Sequence, residues 1–170
     1  MVIVVMGVSG SGKTAVGSEL AARLGWAFED GDDFHPAANV DKMRRGVPLT
    51  DQDRIPWIRS LGRAVQQWIT DGRNVVLACS ALRRCHRDAL RATVRRDGCI
   101  RFVYLEGRYE EIDRRLRLRV GHFMPESLLK SQFDTLEAPD SSEALVVGIS
   151  PPVAAIVDSI LQGLHLDRPV

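Results

Sequence analysis

Cysteine is scarce in this chain, aromatic residues are few, and no long apolar run occurs. Each shortage removes a class of function. The three cysteines, Cys79, Cys85 and Cys99, are an odd set without C-x-x-C spacing. That argues against a disulfide framework or a zinc site and for a reducing, cytoplasmic setting. Cys79 lies in an apolar run and reads as core rather than nucleophile. No stretch approaches the roughly 18 apolar residues of a membrane span. The opening run Val2, Ile3, Val4, Val5 is too short for a signal peptide. Charge of one sign is lacking too: 23 basic against 22 acidic residues leave a net charge of +1. Together with the lack of aromatics among the arginines, this argues against a dedicated nucleic-acid binder. A chain of 170 residues has the length of one domain with one core, residues 1–170.

What the chain has is glycine where it counts. Gly7-Val8-Ser9-Gly10-Ser11-Gly12-Lys13-Thr14 fits G-x-x-x-x-G-K-[ST], a loop whose backbone N–H groups cradle phosphate. The β-branched run before it reads as a buried strand. Ala15, Val16, Leu20, Ala21 and Leu24 recur behind it at helical spacing, ended by Gly25. The loop therefore opens a helix, where N–H groups and the macrodipole favour an anion. Lys13 is placed to reach the β- and γ-phosphates of a nucleotide, and the Thr14 hydroxyl to ligate Mg²⁺.

Further along, strands and helices alternate. Trp26-Ala27-Phe28 is a short strand leading into Glu29-Asp30-Gly31-Asp32-Asp33. Pro36 opens a helix to about Arg45, and Thr50 or Asp51 caps a long one to about Asp71. The predicted buried stripe of that long helix is Ile55, Ile58, Leu61, Val65, Trp68 and Ile69. Strands follow at 74–79, 100–105 and 145–149, with helices at about 84–96, 109–119, 125–136 and 153–161. Near-continuous apolar strands alternating with helices predict an α/β fold, a parallel sheet covered by helices on both faces. Ligand sites in such a fold lie at the carboxyl ends of the strands.

Three of those ends carry polar residues. Asp30 and Asp32 are two apart, so a strand would point both to one face. One is then suited to hold Mg²⁺ and the other, Asp32, to accept a proton from an attacking hydroxyl. Arg54, at a helix entrance, suits an anionic group of the acceptor. Arg83, Arg84 and Arg87 follow the third strand, and spacing alone does not choose among them. His35 stands at a helix start near the acidic cluster. Arg108, Arg114, Arg115, Arg117 and Arg119 lead through Gly121 into another helix, so about residues 108–136 read as a lid that brings positive charge over the phosphates. The third strand ends in Cys79-Ser80, not in the magnesium-holding Asp of many phosphate-loop enzymes, which leaves that part to Asp30. No Asn-Lys-x-Asp stretch is present, which argues against a guanine-nucleotide switch.

With these pieces in view, the chain resembles the small phosphate-loop gluconate kinases, relatives of shikimate kinase and the adenylate kinase-like enzymes. The resemblance runs from Met6 to about Pro152. Its specific carriers are Asp53-Arg54-Ile55-Pro56-Trp57, Ser80-Ala81-Leu82, Gly121-His122-Phe123 and Gln132-Phe133. It implies ATP-dependent phosphorylation of D-gluconate at its terminal hydroxyl, a three-layer fold with sheet order 2-3-1-4-5, a helical lid and a homodimer. It also implies that Asp32 meets the accepting hydroxyl, that Asp30 sits near Mg²⁺, and that Arg115 lies near the adenine or phosphates. The turn Gly148 to Pro152, Pro151 included, would border the adenine. Arg119 would serve in the lid, and His122 would join His35, Arg54, Arg83 and Arg87 around the acceptor. The family often has Lys where this chain has Arg83, a change of donor geometry at that position. Two other readings stand beside this one. One is a kinase for another small anionic alcohol, shikimate-like or a nucleoside monophosphate. The other is a nucleotide-binding switch without an acceptor.

Overall fold

The computed structural model describes residues 1–94, 98–118 and 126–166. Its centre is β1 (Val2–Met6), whose five residues are all at 0% exposure. Alternate side chains of this strand feed two cores, as the pleat requires. Ile3 and Val5 join one cluster with Val16, Leu20, Val157 and Ile160, and Val2, Val4 and Met6 join another with Trp57, Leu61 and Val65. The first cluster seats α1 (Lys13–Leu24) and α7 (Val153–Gly163) on one face of the sheet. The second seats α3 (Asp51–Thr70) and α4 (Arg84–Ala92) on the other.

β1 pairs in parallel with β3 (Val75–Ala78) and with β4 (Ile100–Glu106). β2 (Ala27–Asp30) pairs with β3, and β5 (Leu145–Gly148) with β4. The order is 2-3-1-4-5, as the resemblance implied. Among the described residues there are seven α-helices, the others being α2 (Ala37–Arg44), α5 (Tyr109–Leu118) and α6 (Glu126–Thr135). Because all five strands run in one direction, their carboxyl ends gather along a single edge.

Three expectations need correction. Asp30 and Asp32 do not share a strand face. β2 ends at Asp30, and Gly31–Phe34 form one 3₁₀ turn that Asp30 caps by accepting the Asp32 N–H at 3.0 Å. The acids are neighbours through a cap, not through a pleat. The stripe of α3 also differs at its start. Ile55 is 38% exposed, while Trp57 is 1% exposed. At about 100° per residue, Trp57 lies roughly 40° from Leu61 and Ile55 about 120° from it. The Thr50–Asp53 capping box fixes the start of that helix: Asp53 donates its N–H to Thr50 Oγ1 at 3.2 Å, and Thr50 donates its own to Asp53 Oδ2 at 2.8 Å.

Arg87 is also not where an acceptor-binding residue would be. It is 1% exposed, and its Nε and Nη2 donate to Glu143 at 2.8 and 3.1 Å. Its Nη1 donates to the carbonyls of Ala81 and Leu82, both at 3.1 Å. Ala81 holds a left-handed φ of 41°, a strained conformation for a residue with a Cβ. Arg87 thus pins a strained turn after β3 to the segment before β5, and hydrogen bonding to it draws the Glu143 carboxyl below its ordinary pKa. Breaking one side of a buried ion pair leaves the other charge uncompensated. Arg87→Ala is expected to lower the unfolding free energy by about 3 kcal/mol, measured by chemical denaturation.

Candidate active site

The phosphate loop joins β1 to α1. Gly7 has φ +148°, and a Cβ there would lie 2.7 Å from Ser11 Oγ and 3.0 Å from the Leu105 carbonyl. Gly10 has φ +82°, and its Cβ would meet Leu116 Cγ of α5 at 2.7 Å. Both positions therefore require glycine for conformation and for space. Val8 anchors the loop in the core at 2% exposure, and Ser9 lines the cavity beside it. The N-cap of α1 is Gly12, left-handed and without a side-chain cap, so no side chain occupies the donors of the first turn. The buried Ser11 hydroxyl has no hydrogen-bond partner among the described residues. Lys13 donates its Nζ to the Val8 carbonyl at 3.1 Å. Burial lowers its pKa, with Asp32, Cys79 and Asp30 acting against that. Cys79 beneath it is pushed up to about 12 by burial, which makes it core and not a nucleophile.

Two oxygens expected to serve a metal lie side by side: Thr14 Oγ1 donates to Asp30 Oδ2 at 3.2 Å. The second oxygen of Asp30 is used in capping the 3₁₀ turn. One hydroxyl and one carboxylate are hard donors of the kind Mg²⁺ takes alongside water and phosphate oxygens. Among the described residues, no group of three or more His, Cys, Asp or Glu forms a self-sufficient metal cage. Asp32 is exposed, and its pKa is raised by desolvation against the crevice walls, opposed by Lys13 and reinforced by Asp30 and Asp33. A raised pKa makes the carboxylate a stronger base.

A cavity of about 550 Å³ brings Lys13, Asp32, His35, Arg54 and Ser80 together with Gln132 of α6. Its far wall is apolar, with Val40, Met43, Val47 and Leu49. Arg54 has only 14% of its side chain exposed, and among the described residues its one ion pair is a 3.4 Å approach to Asp51. Desolvation and the nearby Arg83 work against its charge, so an anion in the cavity would relieve a cost already present. The arginines after β3 are separated by the fold. Arg83 pairs with Asp51 at 3.0 Å outside the cavity lining, Arg84 is exposed, and Arg87 is internal. Arg115 of α5 donates to Glu111 at 2.8 Å and to the Ile149 carbonyl at 2.7 Å, which sets it against the turn that contains Pro151. Arg119 and His122 lie outside the described residues.

Sequence reasoning gave no role to Trp57, Asn39 or Gln132. Trp57 donates its Nε1 to the Gly31 carbonyl at 2.7 Å, between the two acids, and its ring stacks on His35 with centroids 4.5 Å apart. Gln132 accepts the Ser9 N–H at 2.6 Å, joining α6 to the phosphate loop. Only its place in the Gln132-Phe133 stretch that carries the family resemblance marked Gln132. Nothing local did, because its partner lies 123 residues away. His35 and His86 flank Trp57, and each is pulled down to about 4, first by burial and then by Arg54. A folded pKa below the free value of 6.5 means the unfolded chain takes up protons first as pH falls. The unfolding free energy is therefore expected to drop between pH 6.5 and about 5, above the carboxylate range. Urea titrations should show a flatter profile for His35→Gln/His86→Gln.

Known proteins resemble this chain in sequence and fold. A family model described as an AAA domain matches residues 2–139. The gluconokinase of Gluconobacter oxydans (strain 621H) is 49% identical over 144 residues, covering 85% of this chain and 79% of that protein. The thermoresistant gluconokinase of Escherichia coli (strain K12) is 42% identical over 163 residues, with 95% and 91% covered. A crystal structure of a gluconokinase from Sinorhizobium meliloti 1021 superposes with a TM-score of 0.87 at 44% identity, covering 96% of this chain and 90% of that one. Shikimate kinase from Aquifex aeolicus vf5, at 21% identity and a TM-score of 0.63, shares the fold. Identity at this level, over most of the chain and on the same five-stranded frame, means that the chain belongs to the gluconokinase family.

Proposed function

We propose that this protein transfers the γ-phosphoryl group of ATP to the terminal hydroxyl of D-gluconate, giving 6-phospho-D-gluconate and ADP. The observation that carries the reading is one cavity joining the phosphate loop, a carboxyl group and a poorly compensated guanidinium through Lys13, Asp32 and Arg54. A sugar acid needs all three: a phosphoryl donor at one end, a base at its alcohol, and a cation at its carboxylate. The relatives named as gluconokinases supply the choice of acid.

In this reading ATP lies with its phosphates over Gly7, Val8, Ser9, Gly10, Ser11, Gly12, Lys13 and Thr14, and its adenine against Arg115 and the turn at Pro151. Lys13 shifts from the Val8 carbonyl to the β- and γ-phosphates. Asp32 accepts the proton of the attacking hydroxyl as the new P–O bond forms and the bond to ADP breaks. Arg54 holds the carboxylate, and His35 takes a hydroxyl. His122 stands as a further acceptor contact and Arg119 as a lid charge; Arg83 is turned to Asp51 and Arg87 is committed to the fold. Thr14 and Asp30 would hold Mg²⁺, which when bound neutralises phosphate charge. Little covalent work falls to the protein, and positioning with charge neutralisation supplies most of the acceleration. Residues 1–170 work as one kinase unit, with about 108–136 as its lid, in a cytoplasmic homodimer. None of the described helices is long and apolar enough to cross a membrane.

A coupled assay with ATP and a panel of sugar acids, shikimate and nucleoside monophosphates tests the substrate. Turnover confined to a nucleoside monophosphate, or ATP binding without any transfer, would overturn it. Lys13→Ala and Asp32→Asn are each expected to lower kcat by about two to four powers of ten. Arg54→Ala should act mainly on the gluconate KM, raising it about 10- to 100-fold through loss of a charge-assisted hydrogen bond.

A further inference from the structure

His35 is held on two sides by groups that take no direct part in the proposed transfer. Its ring lies almost parallel to that of Trp57, at 10° and 4.5 Å between centroids. Trp57 is itself immobilised, 1% exposed and bonded through Nε1 to the Gly31 carbonyl. Stacking fixes the plane of the imidazole but leaves open a 180° rotation about Cβ–Cγ, which exchanges the ring nitrogens with ring carbons. Asn39, one helical turn further on, settles the rotation, since its Nδ2 stands 3.3 Å from His35 Nδ1.

Asn39 is 4% exposed, and the same Nδ2 donates to the backbone carbonyl of Asp53 at 2.8 Å. A carbonyl can only accept, so this bond identifies the atom as the amide nitrogen and excludes the flipped amide. An amide nitrogen has two N–H donors and no acceptor, so His35 Nδ1 must be the acceptor. In a neutral imidazole the proton then resides on Nε2. Among the described residues Nε2 has no protein partner, and His35 lines the cavity.

We propose that Asn39 is a positioning residue that locks His35 as the Nε2–H tautomer, so that the ring gives the acceptor one neutral hydrogen-bond donor and no base. The proposal rests on the reading of the cavity as the acceptor site and adds a division of labour to it. Asp32 alone takes the proton, Arg54 takes the negative charge, and His35 donates to an oxygen lone pair. Burial and the charge of Arg54, which pull the His35 pKa down to about 4, work in the same direction by disfavouring the cation.

The test has two arms. In the full-length protein labelled with ¹⁵N-histidine at pH 7, His35 Nε2 should show the pyrrole-type shift and Nδ1 the pyridine-type shift. Asn39→Leu should bring the two towards a common average, and Asn39→Asp, whose carboxylate only accepts, should move the pyrrole-type shift to Nδ1. A pyrrole-type Nδ1 in the unsubstituted protein, or shifts unmoved by both substitutions, would overturn the proposal. This arm needs no substrate, so it stands even if the acceptor proves to be a different alcohol. In the kinetic arm, Asn39→Leu should raise the gluconate KM about tenfold while kcat changes far less. Adding it to His35→Phe should cost nothing further. A full Asn39→Leu penalty in the His35→Phe background would show that Asn39 does not act through His35.

Discussion

A helix start without a side-chain cap, held at the end of a strand with no water on either side, is the constraint that the rest of this molecule answers to. Exposed in a loop, the free donors at the start of α1 would be satisfied by solvent. Here β1 is sealed by two separate cores, one on each pleat face, so the position of the loop is set by packing on both sides of the sheet. Glycine at positions 7 and 10 lets the backbone turn where a Cβ would collide with Ser11, Leu105 or Leu116. Stability and anion binding therefore draw on the same few residues.

The second organising contact is the hydrogen bond from Trp57 to the Gly31 carbonyl. Gly31 lies between the acid beside Thr14 and the acid that faces the cavity. Trp57 belongs to the helix that also brings Arg54. A single indole thus ties the phosphate side of the crevice to the acceptor side, while its faces and edges hold His35 and His86. The capping box of α3 extends the connection, because Asp53 also takes Lys42 Nζ at 2.7 and 2.9 Å and its carbonyl takes Asn39. Hydrogen bonds from Lys42 and Thr50 hold the Asp53 carboxyl down near 2, so the box stays charged through ordinary pH.

Much of the frame was legible because it is written locally. The strand-loop-helix at residues 2–24, the cap at Thr50 and the alternation of apolar strands with helices each follow from a few neighbouring side chains. The paired acids were legible as a cluster but not as a geometry. Spacing of two suggested a shared strand face, whereas Gly31 and the Asp30 cap turn the chain into a 3₁₀ helix. The arginines after β3 show the same limit. Arg83, Arg84 and Arg87 look alike in sequence, and only Glu143, 56 residues from Arg87, makes one of them internal.

The sequence by itself determined the phosphate loop, the parallel α/β order and the residue types that a sugar-acid kinase requires, since these depend on periodicity, on glycine and on chemistry carried within short stretches. The tertiary structure decided which of the candidate cations face the cavity, which oxygen of Asp30 remains beside Thr14, and how Asn39 and Trp57 fix His35. Those outcomes depend on hydrogen bonds and packing between segments far apart along the chain. The direction of a side chain there is set by whatever the fold brings against it, and no local pattern records that partner.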